Sequence, residues 1–560
     1  MPAFLYVGAL WYSAPLFFKA FPGVADRLRA VLAIGVALAG ALSLVHLLYP
    51  ALLWLALGTL CILRAFRRPH PCAPDLGLSI TLAAAVLICW PSLVRPPLDG
   101  DSLLYHLPNA LAFAQDHSLW VHRAPYWLYP AASELFAAGL FDASGQWSLP
   151  LAGVLPALLI AARLYSVARN AQAPPYAAGT VALAFTFMPV AAFETGTLQN
   201  DLWLAAFLVE IVSAADRSPV SFALCALLKP FGWIEALIAA VAARLSLRSV
   251  LLGLVPFTVW LVRDAVLLAR NANVGFSAPA YMPSTIAGNC FIAVAQLAHG
   301  IATVTPQAFV WLALLAAGAC FAPARRYAFA GIAVLALYAF LPLAYKSGSI
   351  NYVLDASSLR FALPALACGA LAAATFAARV PRVAGVAAAF VALRGAVDVF
   401  LVFWNDAYTH WAPAAAAVCI VAVLAIARTR SVSIAVCALA VILAGGWGAS
   451  SRAAGFYSEW MRGTSGKPTG VFTWLAAHKP RAVVAENVRT GAVLVMSPGT
   501  RAFALPFAGC DEARTMHALL LVGNNEDLVG AALARAMRDA RRCGRTLYED
   551  SAALIVEPRS

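Results

Sequence analysis

The stretch Asp101-Ser102-Leu103-Leu104-Tyr105-His106-Leu107-Pro108 follows a long apolar run and opens a polar excursion that lasts to about Trp147. In order, the excursion carries Asp99, Asp101, Tyr105, His106, Asn109, Gln115, Asp116, His117, Arg123, Tyr126, Tyr129 and Glu134. No other segment in the first half of the chain concentrates as many groups able to move a proton or hold an ion. On either side the sequence is apolar at bilayer-spanning scale. The segment is therefore expected to be the catalytic loop, about 95–146, of a membrane-embedded enzyme, which the rest of the chain anchors, roofs or feeds.

Apolar runs fall at about 4–18, 30–48, 51–66 and 76–94, then at 147–163, 175–192, 199–215, 218–229, 232–245 and 248–267. After a second polar loop at about 268–305 they resume at 306–322, 327–345, 359–378, 383–403, 411–427 and 431–449. Each is near the length of a membrane span or a little under it, so short, tilted or half-spanning helices are expected, roughly 13–16 in all. The run at 4–18 is read as spanning or interfacial, and 218–245 as two short helices around Lys229-Pro230. Of 560 residues, 12% are charged. That is about half the share in a soluble domain, which excludes a single water-soluble globule. The net charge of +13 does not gather into one patch but sits in pairs between apolar runs, so nucleic acid is not an expected partner.

Every second connection is basic: Arg27 and Arg29; Arg64, Arg67 and Arg68; Arg163 and Arg169; Arg217; Arg244 and Arg248; Arg325 and Arg326; Arg379 and Arg382; Arg428 and Arg430. The connections between them are 95–146, the Phe193–Asp201 turn, 268–305, Lys346–Ser358 and Trp404–His410, and they hold most of the acids, amides and aromatics. Basic connections belong in the cytoplasm, which places these loops and the tail after Ala449 outside. Residues 1–450 are read as the membrane domain and 451–560 as a soluble α/β extracytoplasmic domain. The tail shows helical patterns at 469–478 and 526–541, and strand-like runs at Ala482–Ala485, Ala492–Met496, Leu519–Val522 and Ala552–Val556. Gly463-Thr464-Ser465-Gly466-Lys467 has the wrong spacing for a phosphate loop. Most of the eleven cysteines lie in apolar runs, and there is no CxxC pair. Cys510 and Cys543 lie in the tail, where they are either one disulfide or two thiols.

Three acids stand at the outer ends of apolar helices. Asp101 precedes the helical pattern Leu104, Leu107, Leu111 and Phe113–Ala114, expected along the membrane surface, where an Asp is also an ordinary N-cap. Glu134 follows Tyr129-Pro130 in a first helical turn, again an ordinary place for an acid. Asp201 ends Thr197-Leu198-Gln199-Asn200-Asp201 at the mouth of a span. Their shared side makes an acid/base site the expectation. Lys229 and Arg360 lie on that side too and suit a phosphate, Arg360 bidentately; the alternative is that both snorkel to the interface. Arg263 with Asp264, and Asn351 with Tyr352, are weaker candidates. His106 and His117 are possible bases or ligands, although no HExxH spacing is present.

Taken together, Asp101-Ser102-Leu103 with Tyr105-His106-Leu107-Pro108, then Tyr129-Pro130 and Glu134, resemble the first external loop of bacterial integral-membrane GT-C glycosyltransferases. These are similar to glycosyltransferase family 39, the protein mannosyltransferases and aminoarabinose transferases. Thr197 to Leu202, the Lys229 stretch, and Arg360-Phe361-Ala362-Leu363-Pro364 follow in the same order, so the resemblance covers roughly residues 90–370. It implies an all-α polytopic fold in the bacterial cytoplasmic membrane. It also implies a polyprenyl-phosphate sugar as donor and transfer to a lipid, glycan or protein acceptor on the outer side. Asp101 matches the catalytic acid, Asp201 the second acid and Glu134 a third; Lys229 and Arg360 would hold the donor phosphate, with Tyr105, His106 and Asn200 lining the substrate loop. Asp101 and Asp201 could hold a divalent metal, but no clustered ligand spacing demands one. The competing reading is a transporter or flippase of polyprenyl-linked glycans. That function calls for charges near mid-membrane on broken helices, whereas the charges singled out here stand at span ends.

Overall fold

The computed structural model describes residues 2–17, 23–66, 75–93, 97, 99, 101–121, 127–145, 148–213, 219–270, 286–303, 305–340, 359–399, 470–486, 493–494, 497, 499–505, 509–523, 530–551 and 553–559. Arg123, Tyr126, Asn351, Tyr352, the loops at 346–358 and 404–410, the runs at 411–427 and 431–449, and Gly463 to Lys467 lie outside these residues.

The apolar runs form helices because unbroken aliphatic sequence buries well on every side. Among the described residues three of these, Val24–Leu44, Leu151–Asn170 and Leu247–Arg270, are long and apolar enough to cross a membrane. Others are shorter, among them Pro50–Ala65, Leu76–Ile88, Gly232–Ala243 and Ala308–Cys320. Leu247–Arg270 leaves Leu251, Leu252, Val255, Val259, Leu261 and Val262 exposed, an apolar face that suits lipid. Run 175–192 breaks at Pro189 into Pro175–Thr186 and Pro189–Glu194. Around Lys229-Pro230 the chain makes two short helices, Pro219–Ala226 and Gly232–Ala243.

Three expectations are corrected. The region 268–305 is not all loop: Ile286–Thr303 is a helix, because its apolar residues recur at helical spacing past the Pro- and Gly-rich stretch before it. The helix after Asp101, Leu107–Gln115, does not lie on a surface; all but its last residue are buried. It packs on Ala132–Ser144, and its end meets the C-terminal domain, where Gln115 donates to the Thr500 carbonyl at 3.0 Å and Asp116 lies 3.5 Å from Arg501. In the tail, Val493 and Leu494 are helical rather than extended.

The tail is built on a five-stranded mixed sheet: β1 Ala482–Glu486, β2 Arg501–Leu505, β3 Leu519–Gly523, β4 Gly544–Glu549 and β5 Ala553–Pro558, in the order β2-β1-β3-β5-β4. β1 pairs parallel with β2 and β3, while β5 pairs antiparallel with β3 and β4. Alternation assigns the faces: Leu520, Val522, Leu554 and Val556 pack with Leu533 and Met537 of the Gly530–Arg541 helix. Leu521, Ala553 and Ile555 join the cluster that continues into the membrane helices. Cys510 and Cys543 are bonded, their Cα atoms 5.7 Å apart.

At the opposite end from the acidic loops, Arg163 locks three helices together. It donates to both carboxylate oxygens of Glu210, at 2.6 and 2.7 Å, and to Asp26 at 2.7 Å. Glu210 lies nine residues beyond Asp201, about 14 Å along the same helix. One end of the Asp201–Ser213 helix is thus fixed, and its other end presents Asp201.

Candidate active site

Asp99 caps the helical stretch that begins at Ser102, accepting from the Ser102 backbone N–H at 2.9 Å. Asp101 makes no capping bond. Relieved of that role, Asp101 accepts from Arg360 Nη2, 259 residues away in sequence. The turn from Ser102 to His106 is π-helical before the α-helix resumes. Such a bulge is frequent where side chains must be re-aimed.

The Thr195–Asp201 segment is fastened from both sides. The Leu198 N–H donates to Ser102 Oγ at 2.7 Å, and Gln199 Nε2 to Asp99 at 2.6 Å. Ser92 and Thr195 share a hydroxyl bond of 2.7 Å. Gly153 of the Leu151–Asn170 helix lies against this turn. A Cβ there would meet the Thr195 carbonyl and come within 3.0 Å of the Thr197 carbonyl, so only glycine permits the approach. Asn200 spends its amide on the Leu228 carbonyl, and the Ala132 N–H donates to Leu227 at 2.9 Å. These bonds set Lys229 beside Asp201.

The result is a chain of alternating charges. Lys229 donates to Asp201, whose other oxygen lies 3.6 Å from Arg360 Nε, and Arg360 donates to Asp101. Phe361 sits beneath both cations, 4.5 Å from Lys229 Nζ and 4.9 Å from the Arg360 guanidinium. Arg360 is 6% exposed, and its Nε–H has no hydrogen-bond partner among the described residues. Burial on this scale is ruinous for isolated charges and tolerable for paired ones. The two cations are therefore held within the site, not snorkelling.

Glu134 is engaged separately. His106 Nδ1 lies 2.6 Å from one of its oxygens, and Ser133 donates to the other at 2.8 Å. Tyr105 links the two groups: its ring lies 4.0 Å from the His106 ring, and its hydroxyl feels Asp101, Arg360, Asp201 and Glu134. Burial first, then the Asp101 carboxylate, push that hydroxyl well above its usual value, so Tyr105 stays a neutral donor. His117 is committed elsewhere; its Nδ1 lies 2.7 Å from the Leu48 carbonyl and its ring stacks on Tyr49.

Arg263 does not face a phosphate either. Buried between Trp127 and Trp260, it donates to the carbonyls of Leu119 at 3.0 Å, Val121 at 3.0 Å and Trp127 at 2.6 Å, and to Asp264 at 2.7 Å. A guanidinium fork is what lets one side chain hold three backbone carbonyls of the polar loop at once. Arg263→Lys, with a single ammonium, is expected to leave at least two of these carbonyls unpaired. Limited proteolysis should then cut within 119–130 markedly faster than in the wild type; equal cleavage would show that the loop holds itself.

The sequence reading did not single out Glu194. It ends the Pro189–Glu194 helix, is 1% exposed, and its Oε2 has no hydrogen-bond partner among the described residues. The available signal was an acid, with no base beside it, at the edge of an apolar run. As for a metal, Asp101 and Asp201 each face a cationic side chain. Among the described residues no group of three or more His, Cys, Asp or Glu side chains is gathered to hold one.

No family model and no curated protein matches the chain. Among solved structures it is similar to ArnT from Cupriavidus metallidurans bound to undecaprenyl phosphate, at 18% identity and a TM-score of 0.49, over 85% of this chain and 97% of that one. It is also similar to the apo state of the same protein, at 17% identity and a TM-score of 0.47, over 85% of this chain and 96% of that one.

Proposed function

We propose that the chain is an inverting membrane glycosyltransferase. It moves a sugar from a polyprenyl-phosphate donor to a lipid, glycan or protein acceptor at the outer face of the bacterial cytoplasmic membrane. The observation that carries this reading is Arg360: a buried guanidinium shared between Asp101 and Asp201, with one N–H left without an acceptor among the described residues. An arriving phosphate oxygen offers that N–H its acceptor and competes with Asp101 for the rest of the fork. Lys229, one carboxylate away, completes the anion site.

This exchange of partners links donor binding to base strength. While paired with Arg360, the Asp101 carboxylate is a poor base, because the neighbouring cation favours its ionised form. Once phosphate takes Arg360, Asp101 gains basicity and removes the proton from the acceptor hydroxyl or amine. The acceptor atom bonds to the anomeric carbon as the bond from that carbon to the phosphate oxygen breaks. The electron pair leaves with the phosphate, whose charge Arg360 and Lys229 offset. A single displacement inverts the anomeric centre, and the proton on Asp101 passes to solvent.

The C-terminal sheet docks on the end of the helix that follows His106, so it belongs on the same side of the membrane as the site. The Cys510–Cys543 bond suits an oxidising outer compartment. The test is transfer from a labelled polyprenyl-phosphate sugar pool in membranes containing the protein, against membranes lacking it. Protein-dependent appearance of labelled acceptor is expected. Movement of the labelled donor across the bilayer with no transfer would replace the enzyme with the flippase.

A further inference from the structure

Glu194 has no part in the transfer chemistry described above, yet it lies in the same electrostatic neighbourhood. Its short helix packs against the Arg360–Ala362 turn and against the start of the Asp201–Ser213 helix. Asp201, Arg360, Asp99 and Lys229 all act on its carboxyl. On the other elements around it, Arg394 and Asp398 of Pro381–Val399 pair with each other, and Asp398 also takes a bond from Gln307 at 2.7 Å. Pro175–Thr186 offers only Tyr176, which is exposed. The four groups of the site and its back wall are therefore the charges that matter to Glu194.

Counting charges shows why its proton is consequential. Lys229 and Arg360 carry two positive charges, and Asp101 and Asp201 two negative ones. With Glu194 neutral the chain of Lys229, Asp201, Arg360 and Asp101 is balanced, Asp99 being held apart by the Ser102 N–H and Gln199, and an incoming phosphate has the two aspartates of the chain to displace. An ionised Glu194 adds a third buried carboxylate beside Arg360. We propose that Glu194 is a positioning residue whose proton keeps Lys229 and Arg360 available to the donor phosphate, so that losing this proton weakens donor binding. Burial, followed by the repulsion of Asp201, holds the carboxyl well above its ordinary value. The neutral form thus persists above the ordinary carboxyl range and is lost as pH rises through the raised value.

This inference rests on the donor-phosphate reading, and binding measurements separate the two. The full-length protein in lipid nanodiscs would be titrated with a long-chain polyprenyl phosphate, and with the matching polyprenol, from about pH 6 to about pH 9, for wild type and Glu194→Gln. The phosphate's own second ionisation, near 6, affects both proteins alike, so the ratio of their affinities isolates Glu194. Expected is a ratio near one at the acid end and a loss of about tenfold or more in the wild type relative to Glu194→Gln at the alkaline end, with polyprenol binding flat. A ratio that does not change with pH would overturn the role of Glu194 and leave the phosphate site standing. Equal affinity of the wild type for polyprenol and polyprenyl phosphate at every pH would overturn both. Should Glu194→Gln fail to fold, the wild type decides: phosphate affinity that does not decline towards alkaline pH overturns the inference.

Discussion

Asp101→Asn is expected to reduce sugar transfer by about 10²- to 10⁴-fold, the usual range for loss of a general base, with normal insertion and expression. The substitution is mild for the fold. The Asn side-chain oxygen still accepts from Arg360, and Arg360 keeps Asp201 as its second partner at 3.6 Å. The helix start is untouched, because Asp99 supplies the cap. The kinetic pattern is more specific than the loss itself. If the donor phosphate must take Arg360 from Asp101, a neutral amide competes less well than a carboxylate. The donor KM should then stay level or fall while kcat collapses, which marks a residue needed in the transition state and not for ground-state binding. Transfer at the wild-type rate would reduce Asp101 to a structural partner of Arg360. A raised KM with unchanged kcat would assign it to donor binding.

The capping acid illustrates what the sequence could and could not reveal. Asp99 and Asp101 stand two residues apart before the same helical pattern, and local chemistry lets either one cap it. What decides is Arg360, far along the chain, which claims Asp101. Long-range pairing of this kind leaves no trace in spacing. The same holds for Glu134, whose place at a helix start was legible but whose commitment to His106 and Ser133 was not. Lys229, Arg360, Asp101 and Asp201 could be named in advance because charged side chains at the expected outer ends of apolar runs are few, and each demands a reason.

Among the described residues, helices were legible where aliphatic runs met basic connections. Ile286–Thr303 was not, because Asn289, Gln296 and His299 lowered its apolar character and a Pro- and Gly-containing stretch preceded it. Leu107–Gln115 was recognisable as a helix but not as a buried one. Its cover comes from Ala132–Ser144 and from a sheet nearly four hundred residues downstream. In the tail, β2 and β4 escaped notice because β2 opens on Arg501 and β4 on Gly544-Arg545 and neither carries a run of branched aliphatic residues, whereas β1, β3 and β5 are aliphatic at almost every position.

Lys229→Met is expected to be among the most destabilising single changes in the site, and pairing it with Asp201→Asn to recover much of the loss. Methionine keeps an unbranched apolar stem but loses the ammonium over Phe361 and, among the described residues, leaves the buried Asp201 carboxylate with Arg360 alone, 3.6 Å away and already bonded to Asp101. Removing one partner of a buried ion pair costs about 3–5 kcal/mol, most of it the penalty of the charge left behind. Asp201→Asn removes that charge, so the double variant should melt well above Lys229→Met, with a coupling of about 2 kcal/mol in the cycle. The backbone of this segment has independent support from the Asn200 and Ala132 bonds, so the effect is one of charge and not of displaced chain. Melting in detergent, followed by loss of the monodisperse peak, measures it; strictly additive losses would mean that Lys229 and Asp201 are neighbours without being partners. Transfer gives the second readout. The double variant restores the fold but supplies neither the ammonium for the leaving phosphate nor the carboxylate that orients Arg360. Regained stability without regained transfer separates holding the site together from operating it.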